Sequence, residues 1–396
     1  EMRGAVEAAS MMPLAAGFDV KAKTDSSVLV DITDMYKSDH AYFSLKGAAE
    51  MLNLGAYQAD KSYPTEISTF ENNVIFRSVR SYAQGKAPKN NPKAKLNPTT
   101  WEVAASWYLL PEEPMRPRYY DDRVGYFAYG LTDYTKNPTK AERVYIVSRW
   151  RLEPKPEDME KFKKGELVEP AKPIVFYVDR NTPAYLQPYV MAAVESWQPA
   201  FEQVGFKNAI QAKLVPTPEE DPDFSIEDAR YSVISYKASP MPNAYGPHVA
   251  DPRSGEIICS HVGLFHSVLS LVQSWYFTQT AAVNPIARKF PYDNELTGKL
   301  IKYIVAHEVG HTLGLRHNFA SSWTCSLADI RNRDFVKKYG HTPSIMDYAR
   351  FNYAAQPEDN IDPEDLIPRI GEYDEFAIEW GYRYFGDTKT IDEEQK

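Results

Sequence analysis

The pattern of apolar and polar positions changes along the chain. Its first part predicts β-structure, and helical periodicity appears in the second. Up to about residue 168, short runs rich in β-branched and aromatic residues are typical of strands. Loops rich in proline, asparagine and lysine separate these runs. The predicted strands are 28–32, 74–79, 101–110 and 143–150. Residues 1–168 are therefore expected to form a β-rich N-terminal domain with an accessory or pro-like role.

A polar stretch at residues 153–166 marks the predicted domain boundary, and helical periodicity appears after it. Residues 174–178 have the continuous apolar character of a buried strand. Apolar residues then recur at spacings of three and four from Leu186 to Val204, which predicts an amphipathic helix. Thr182 is expected to cap this helix, with Pro183 at its first position.

Further strands in the second part are predicted at 209–215 and 231–236. Two more flank the strong turn signal at Asp251–Gly255. A helix packed on several strands is typical of an α/β layer. We therefore expect residues 169–396 to form a second domain, and the whole chain to be of the α+β class.

The composition excludes several classes of function. The 396 residues include 45 lysines and arginines against 54 aspartates and glutamates, a net charge of −9. An acidic chain without a basic block offers no electrostatic footprint for nucleic acid, and no basic cluster marks an anionic membrane surface. No apolar run approaches the roughly 18 residues of a transmembrane helix. The first residues also lack the apolar core of a signal peptide, and the sequence makes no prediction of oligomeric state.

The residues that carry chemistry lie in the segment from Val305 to His317. Helical periodicity precedes it, and if the helix continues, His307 and His311 stand one turn apart on the same face. Two imidazole nitrogens in this arrangement can bind one Zn²⁺. Glu308 is then placed to act on a water molecule as general base rather than to bind the metal.

Gly314 is expected to end this helix, because glycine accepts the left-handed conformation that turns the chain. The turn would bring in His317 as the third ligand. Three protein ligands leave one position open, as a catalytic zinc requires. The alternative is a structural helix that happens to contain two histidines, which does not account for the five fixed positions of the pattern.

The pattern H-E-x-x-H-x-x-G-x-x-H is the metzincin signature, and the second half of the chain resembles that clan. The resemblance implies a zincin-like domain with a mixed, mostly parallel sheet, an active-site helix and a methionine turn. The segment Ser344–Tyr348 resembles the turn of astacins and serralysins. By that resemblance Met346 lies beneath the zinc, and Tyr348 is a fifth ligand or a hydrogen-bond donor in the transition state. The alternative for both residues is core packing.

After the third histidine the chain departs from the familiar metzincin families, because Asn318 stands where they have Glu, Asp or Pro. The whole chain resembles large bacterial zinc-dependent metalloproteases that join a β-rich N-terminal domain to a metzincin domain. Residues 109–127, 251–257 and 344–348 carry this resemblance. It implies an exported protein, located in the periplasm, at the cell surface or outside the cell.

These observations predict a zinc-dependent endopeptidase that contains one catalytic zinc ion and acts on a protein or peptide substrate. The substrate is expected to lie along an edge strand at 243–250, paired with 256–262. A pocket walled by residues 346–351 would select its side chains. Two alternatives stay open: a zinc hydrolase acting on a non-protein amide or a glycoconjugate, and a catalytically silent zinc-binding scaffold. The intact Glu308 argues against the scaffold.

Regulation of the site could involve cysteine or aspartate. Cys259 and Cys325 both lie in the second half, so residues 1–168 cannot supply a cysteine switch. The two cysteines could form a disulfide or remain thiols, and the sequence favours neither. Asp121 or Asp122 could reach the open zinc position, although a surface turn in which arginine and aspartate pair is the favoured interpretation.

The other histidines are expected to be structural. His248, His261 and His266 fall near the predicted edge hairpin, where a second metal site is the less favoured alternative. His40 and His341 have no supporting context.

Overall fold

The computed structural model describes residues 2–9, 14–87, 89–93 and 95–386. The chain divides into two compact units, Glu1–Leu110 and Pro111–Lys396. The domain boundary that the sequence predicts at residue 168 stays a prediction, since compactness and independent folding are different properties.

The first unit is rich in β-structure, and its strands include those predicted at 28–32, 74–79 and 101–110. Strands β1 and β2 form a hairpin, and β3, β4 and β5 form an antiparallel sheet with β4 in the centre. A small aromatic core of Tyr36, Phe43 and Phe76 has ring centroids 4.9–5.3 Å apart. The elements are α1 (Met2–Ala9), β1 (Val20–Lys23), β2 (Val28–Val30), α2 (Thr33–Lys37), β3 (Tyr63–Thr69), β4 (Asn73–Tyr82) and β5 (Thr99–Tyr108).

The second unit combines strands with most of the helices. Its strands are β6 (Ala128–Asp133), β7 (Glu142–Val147), β8 (Ile174–Val178), β9 (Ile210–Leu214), β10 (Ser232–Lys237), β11 (Ala244–Tyr245), β12 (His248–Ala250) and β13 (Ile257–Phe265). Its helices are α3 (Met159–Lys163), α4 (Gln187–Glu195), α5 (Gln198–Glu202), α6 (Val268–Thr280), α7 (Asn294–Thr312), α8 (Leu327–Ile330), α9 (Arg333–Tyr339) and α10 (Glu372–Tyr382). Among the residues described, no helix has both the length and the apolar composition needed to cross a bilayer.

A six-stranded sheet organises the second unit. Strands β9, β8, β10 and β13 run parallel in that order, and β11 and β12 pair antiparallel with β13 at one edge. Phe176 and Val178 of β8 are fully buried, as expected for a parallel strand inside a layered core. The expectation of an α+β chain with a mixed, mostly parallel sheet after a β-rich region is confirmed.

Helix α7 packs against α4, α6 and the edge of the sheet. The indole of Trp197, which is fully buried between α4 and α5, donates a hydrogen bond to the carbonyl oxygen of Ala306 at 3.0 Å. Large buried side chains such as Phe201 complete the core around this helix. The helix that carries the metal-binding motif is therefore held inside the core.

The helix predicted from Thr182 to Val204 is wrong in its start and its continuity. Helix α4 begins at Gln187, and Thr182 makes no capping contact because a turn closed by Pro183 precedes the helix. The run is then interrupted between α4 and α5. Pro199 has no N–H to continue the α4 hydrogen bonds, and it stands in the first turn of α5, which begins at Gln198.

Residues 111–168 contribute to the core of the second unit. Tyr126, Val147 and Trp150 are buried in the same apolar cluster as the sheet and α7. The Trp150 indole donates to the carbonyl oxygen of Thr312 at 2.9 Å, at the last residue of α7. The end of the motif helix is therefore packed against a segment that lies far before it in sequence.

Candidate metal centre

Helix α7 presents two of the three histidines on one face. The Asp293 carboxylate caps the helix by accepting a hydrogen bond from the backbone N–H of Leu296 at 2.8 Å. Most residues of the helix are buried, so it runs through the core rather than along the surface. His307 and His311 are four residues apart, and their ring centroids are 4.8 Å apart.

Gly314 ends the helical run. Its φ of +96° lies in the left-handed region that glycine adopts without strain. A Cβ at this position would also lie 2.1 Å from the carbonyl oxygen of Ser148, so no side chain fits. The backbone N–H of Leu315 donates back to the carbonyl oxygen of Gly310 at 3.1 Å. The resulting turn brings His317 to the other two histidines.

The imidazole nitrogens of His307, His311 and His317 converge. Their candidate ligand atoms all lie within 4.8 Å of one another, and the Nε2 atoms of His311 and His317 are 3.1 Å apart. In the part of the chain that the structure describes, no other group of three or more His, Cys, Asp or Glu side chains could hold a metal ion.

Two backbone carbonyl groups orient the rings. Nδ1 of His307 donates to the carbonyl oxygen of Ile345 at 2.7 Å, and Nδ1 of His311 donates to that of Leu315 at 2.8 Å. A neutral imidazole that donates from Nδ1 keeps its lone pair on Nε2. Carbonyl contacts of this kind set both the tautomer and the ring orientation of metal-ligating histidines.

Burial keeps the three rings neutral. It lowers the pKa of His307 to about 3, and the nearby His311 adds to the effect. It also lowers the pKa of His311 to about 4 and, in the same direction, that of His317. Neutral imidazole is the form that binds a metal ion. Three such donors match the ligand set of catalytic zinc sites, so these residues fit zinc.

Glu308 follows the first histidine and is half-buried. Its carboxylate forms no hydrogen bond or ion pair with any other residue that the structure describes. Burial raises the pKa of this carboxyl to about 7. A carboxyl group without a protein partner, buried beside a metal-binding group, is placed to exchange protons with a bound water or substrate.

Residues 344–348 form a turn that packs against the histidines. Met346 is fully buried, and a Cβ on Gly310 would lie 2.3 Å from its sulfur. The glycine between the two helical histidines therefore makes room for the methionine. The ring of Tyr348 lies 4.4 Å from that of His317 and 5.6 Å from that of His307, centroid to centroid, and the side chain is partly exposed.

A fully buried carboxylate on α10 anchors this turn, and no sequence pattern indicated it. Asp374 accepts hydrogen bonds from the Ser344 hydroxyl at 2.6 Å and from the backbone N–H of Ile345 at 2.7 Å. It also accepts one from the backbone N–H of Gly371 at 3.0 Å. Because the Ile345 carbonyl accepts from His307, one chain of contacts joins Asp374 to a candidate metal ligand.

We expect Asp374→Ala to destabilise the protein by about 3 kcal/mol or more, because buried N–H and O–H donors lose their acceptor. The displaced turn should also weaken metal binding roughly 10- to 100-fold. Urea unfolding and a metal-competition titration measure the two effects. Glu372→Ala is the matched control, since it removes an exposed carboxylate from the same helical turn and should change stability by about 1 kcal/mol or less. Equal losses of stability and metal affinity in Asp374→Ala and Glu372→Ala would contradict the anchoring role of Asp374.

Two short strands form the sheet edge next to α7. Strands β11 and β12 pair antiparallel with β13, with His248 opposite Ser260. This confirms the pairing predicted around Asp251–Gly255. A Cβ on Gly246 would lie 2.3 Å from the backbone oxygen of Glu308, so the edge passes close to the motif helix. The edge is therefore beside the candidate metal centre.

The loop at residues 125–127 packs against the turn at residues 314–316, which leads to His317. The N–H of Phe127 donates to the carbonyl oxygen of Gly314, and the N–H of Arg316 donates to that of Gly125, each at 2.8 Å. The Phe127 ring lies 6.0 Å from that of His311. Sequence reasoning missed this contact, because nothing local to either segment indicates the pairing.

The aspartates proposed as a switch lie outside the metal-binding group. The Asp121 carboxylate accepts hydrogen bonds from the Arg123 guanidinium at 2.7 and 2.8 Å, which holds its pKa at about 2. Asp122 is exposed. Within the described residues the candidate group contains histidines only. This geometry agrees with the favoured interpretation, a surface turn in which arginine and aspartate pair.

The remaining histidines and the cysteines take no part in the group. His248, His261 and His266 form no second cluster among the described residues that could hold a metal ion. Both cysteines are thiols, with Cys259 buried in β13 and Cys325 half-buried. The disulfide alternative is therefore not realised in this structure.

Comparison with known families agrees with this geometry. Residues 289–396 match a family described as Met-zincin, and residues 1–155 match a domain of unknown function (DUF5117). The metzincin resemblance is confirmed, and with it a zinc metallopeptidase-type fold for the C-terminal region. No curated protein matches the chain, and no solved structure matches it.

Proposed function

We propose that this Met-zincin domain is a zinc-dependent endopeptidase with Glu308 as its general base. One observation carries the proposal: three neutral imidazoles converge beside a half-buried carboxylate that has no protein partner. A purely structural metal site has no need of such a carboxylate. The Met-zincin match of residues 289–396 also supports a peptidase.

His307, His311 and His317 would hold one zinc ion. When bound, the ion would acidify a water molecule and polarise the substrate carbonyl group. The protein contributes the orientation of the ligands, since the carbonyl groups of Ile345 and Leu315 hold two of the rings.

Glu308 moves the protons of the reaction. Its carboxylate takes a proton from the water that attacks the peptide carbonyl carbon, and then returns it to the leaving amine nitrogen. The C–N bond breaks as the amine is protonated, so one water is consumed for each bond that is cleaved. Burial supports this role, because a carboxylate removed from bulk water is a stronger base.

Tyr348 is proposed to donate a hydrogen bond to the oxyanion that forms on the substrate. Its ring lies against those of His307 and His317, and the side chain is partly exposed. Burial and the neighbouring Glu308 both raise the pKa of the Tyr348 phenol, so the hydroxyl keeps its proton. A protonated hydroxyl is the form that can donate.

Tyr348→Phe is expected to lower kcat about 10-fold or more with little change in KM, because the lost hydrogen bond forms mainly in the transition state. Steady-state kinetics on one peptide substrate measures the split. Tyr353→Phe is a suitable control, since Tyr353 is an exposed tyrosine of the same region. Unchanged turnover in Tyr348→Phe would show that the tyrosine only packs there.

The substrate is proposed to bind extended along β12. Among the strands that the structure describes, β12 pairs with β13 alone, so the backbone groups of its other side can pair with a peptide. The close approach of Gly246 to the backbone of Glu308 places this edge beside the general base. Backbone pairing would give affinity without sequence specificity, which must then come from side-chain pockets.

The test is cleavage mapping on a peptide library by mass spectrometry, with the wild type beside Glu308→Gln. We expect internal cleavage that a chelator abolishes and added zinc restores. A hydrolase of non-protein amides or glycoconjugates would bind zinc and leave every peptide intact. A silent scaffold would bind zinc and cleave neither kind of substrate.

A further inference from the structure

An arginine without a carboxylate partner lies two residues after the methionine turn of residues 344–348. Arg350 is half-buried, and its guanidinium carbon lies 3.6 Å from the ring centroid of Trp275 on α6 and 4.6 Å from that of Tyr348. Among the described residues no aspartate or glutamate forms an ion pair with it.

Neighbouring arginines behave differently. Arg331, Arg333 and Arg369 each pair with a carboxylate, at 2.9, 3.1 and 3.1 Å. The chain has an excess of nine acidic residues, so counter-ions are plentiful. An arginine left without one and partly buried carries a desolvation cost that a bound anion would relieve.

The positive charge is close to the metal centre. The ring centroid of Tyr348 lies 4.6 Å from the guanidinium carbon, and it lies 5.6 and 4.4 Å from the ring centroids of His307 and His317. The charge of Arg350 contributes to lowering the pKa of both histidines. A substrate group held by Arg350 would therefore lie next to the bond being cleaved.

The surrounding structure holds this arginine in place. Its φ of +60° is unusual for a residue with a side chain, and such a conformation persists only when its neighbours impose it. Nε2 of the buried His341 donates to the Arg350 carbonyl oxygen at 2.8 Å. The next residue, Phe351, donates its N–H to Gln279 of α6 at 3.0 Å. The guanidinium is thus positioned before any substrate arrives.

We propose that Arg350 binds a substrate carboxylate, so that the enzyme prefers an aspartate or glutamate at one of the two positions that flank the scissile bond. The rings of Trp275 and Tyr348 lie over the guanidinium, and the Tyr303 hydroxyl is a hydrogen-bond partner of this group. A neutral hydroxyl leaves the positive charge unbalanced, and the remaining N–H groups of a guanidinium match a planar carboxylate through two parallel hydrogen bonds. This inference rests on the proposed peptidase function and names its substrate class.

The first experiment compares peptides that differ only in one flanking residue, Glu against Gln, with both ends blocked. The wild type should cleave the Glu peptide about 10- to 100-fold more efficiently in kcat/KM. Arg350→Gln should abolish this ratio, Arg350→Lys should retain part of it, and Arg350→Glu should reverse it toward a Lys peptide. Since any change in Tyr348 would affect all peptides alike, the ratio isolates the charge.

Arg333→Gln is the matched control, because it removes an arginine of α9 that already pairs with Asp362. Its Glu/Gln ratio should equal that of the wild type. A further arm uses a Gln peptide with a free C-terminal carboxylate close to the bond. If only that arm responds to Arg350→Gln, the arginine binds chain ends and the side-chain preference is overturned.

A binding measurement separates this inference from the proposed function. Fluorescence anisotropy of the labelled Glu and Gln peptides on Glu308→Gln reports affinity without turnover. Tighter binding of the Glu peptide that disappears in Arg350→Gln/Glu308→Gln supports the carboxylate site even if no cleavage is found. If the wild type cleaved peptides and the Glu/Gln ratio of kcat/KM were the same in the wild type and all Arg350 variants, the carboxylate site would be refuted. The proposed peptidase function would still stand.

Discussion

Glu308→Gln is expected to lower peptide hydrolysis by about 10²–10⁴-fold or more while the protein stays folded and binds its metal. Glutamine has nearly the shape of glutamate, so the half-buried position is filled without a cavity. It cannot accept the proton of the attacking water, and the reaction loses its base. No hydrogen bond is broken, because the carboxylate makes none within the described residues.

Single-turnover kinetics on one peptide and metal analysis of the same sample measure the two parts of this prediction. Glu295→Gln is the matched control, since it neutralises an exposed carboxylate in the first turn of the same helix. It should keep activity close to that of the wild type. Activity of Glu308→Gln within a few-fold of the wild type would rule out Glu308 as the base.

His307→Ala and His311→Ala are each expected to reduce the bound zinc from about one equivalent per chain to almost none. Each substitution removes one of three nitrogen donors and leaves two, too few for tight binding. His307 is the more severe case, because it is buried and its ring joins α7 to the turn at Ile345. Activity should be lost together with the metal.

Elemental analysis after dialysis against a weak chelator measures the metal content, and circular dichroism checks that each variant folds. His266→Ala is the control, since His266 is exposed and lies outside the cluster. It should retain the full equivalent of zinc. If His307→Ala and His311→Ala both kept their zinc, the three-histidine site would be wrong.

The histidine part of the candidate site was predictable from local patterns, because its members are close in sequence. His307 and His311 share a helix face because they are four residues apart, and Gly314 turns the chain because only glycine adopts its conformation there freely. The edge hairpin followed from the turn signal at Asp251–Gly255 in the same way. In each case a local pattern determines the local geometry.

Predictions failed where a local rule competed with another. The helix predicted through Val204 is split, because Pro199 removes a backbone donor that apolar periodicity does not take into account. Thr182 is a favourable cap by residue type, but the turn at Pro183 delays the helix to Gln187. Periodicity reports which face is buried and is less informative about where a helix begins.

By itself, the sequence predicted the three-histidine motif, the α+β class and the edge hairpin, and it led to the proposed chemistry of the candidate site. Only the tertiary structure decided what supports that site: Asp374 beneath the methionine turn, Phe127 on the turn of the third histidine, and Arg350 beside Trp275. These partners are separated by 29 to almost 200 residues and share no periodicity. Such contacts form because the core brings distant segments together, so each depends on the whole fold and not on its own neighbours in the chain.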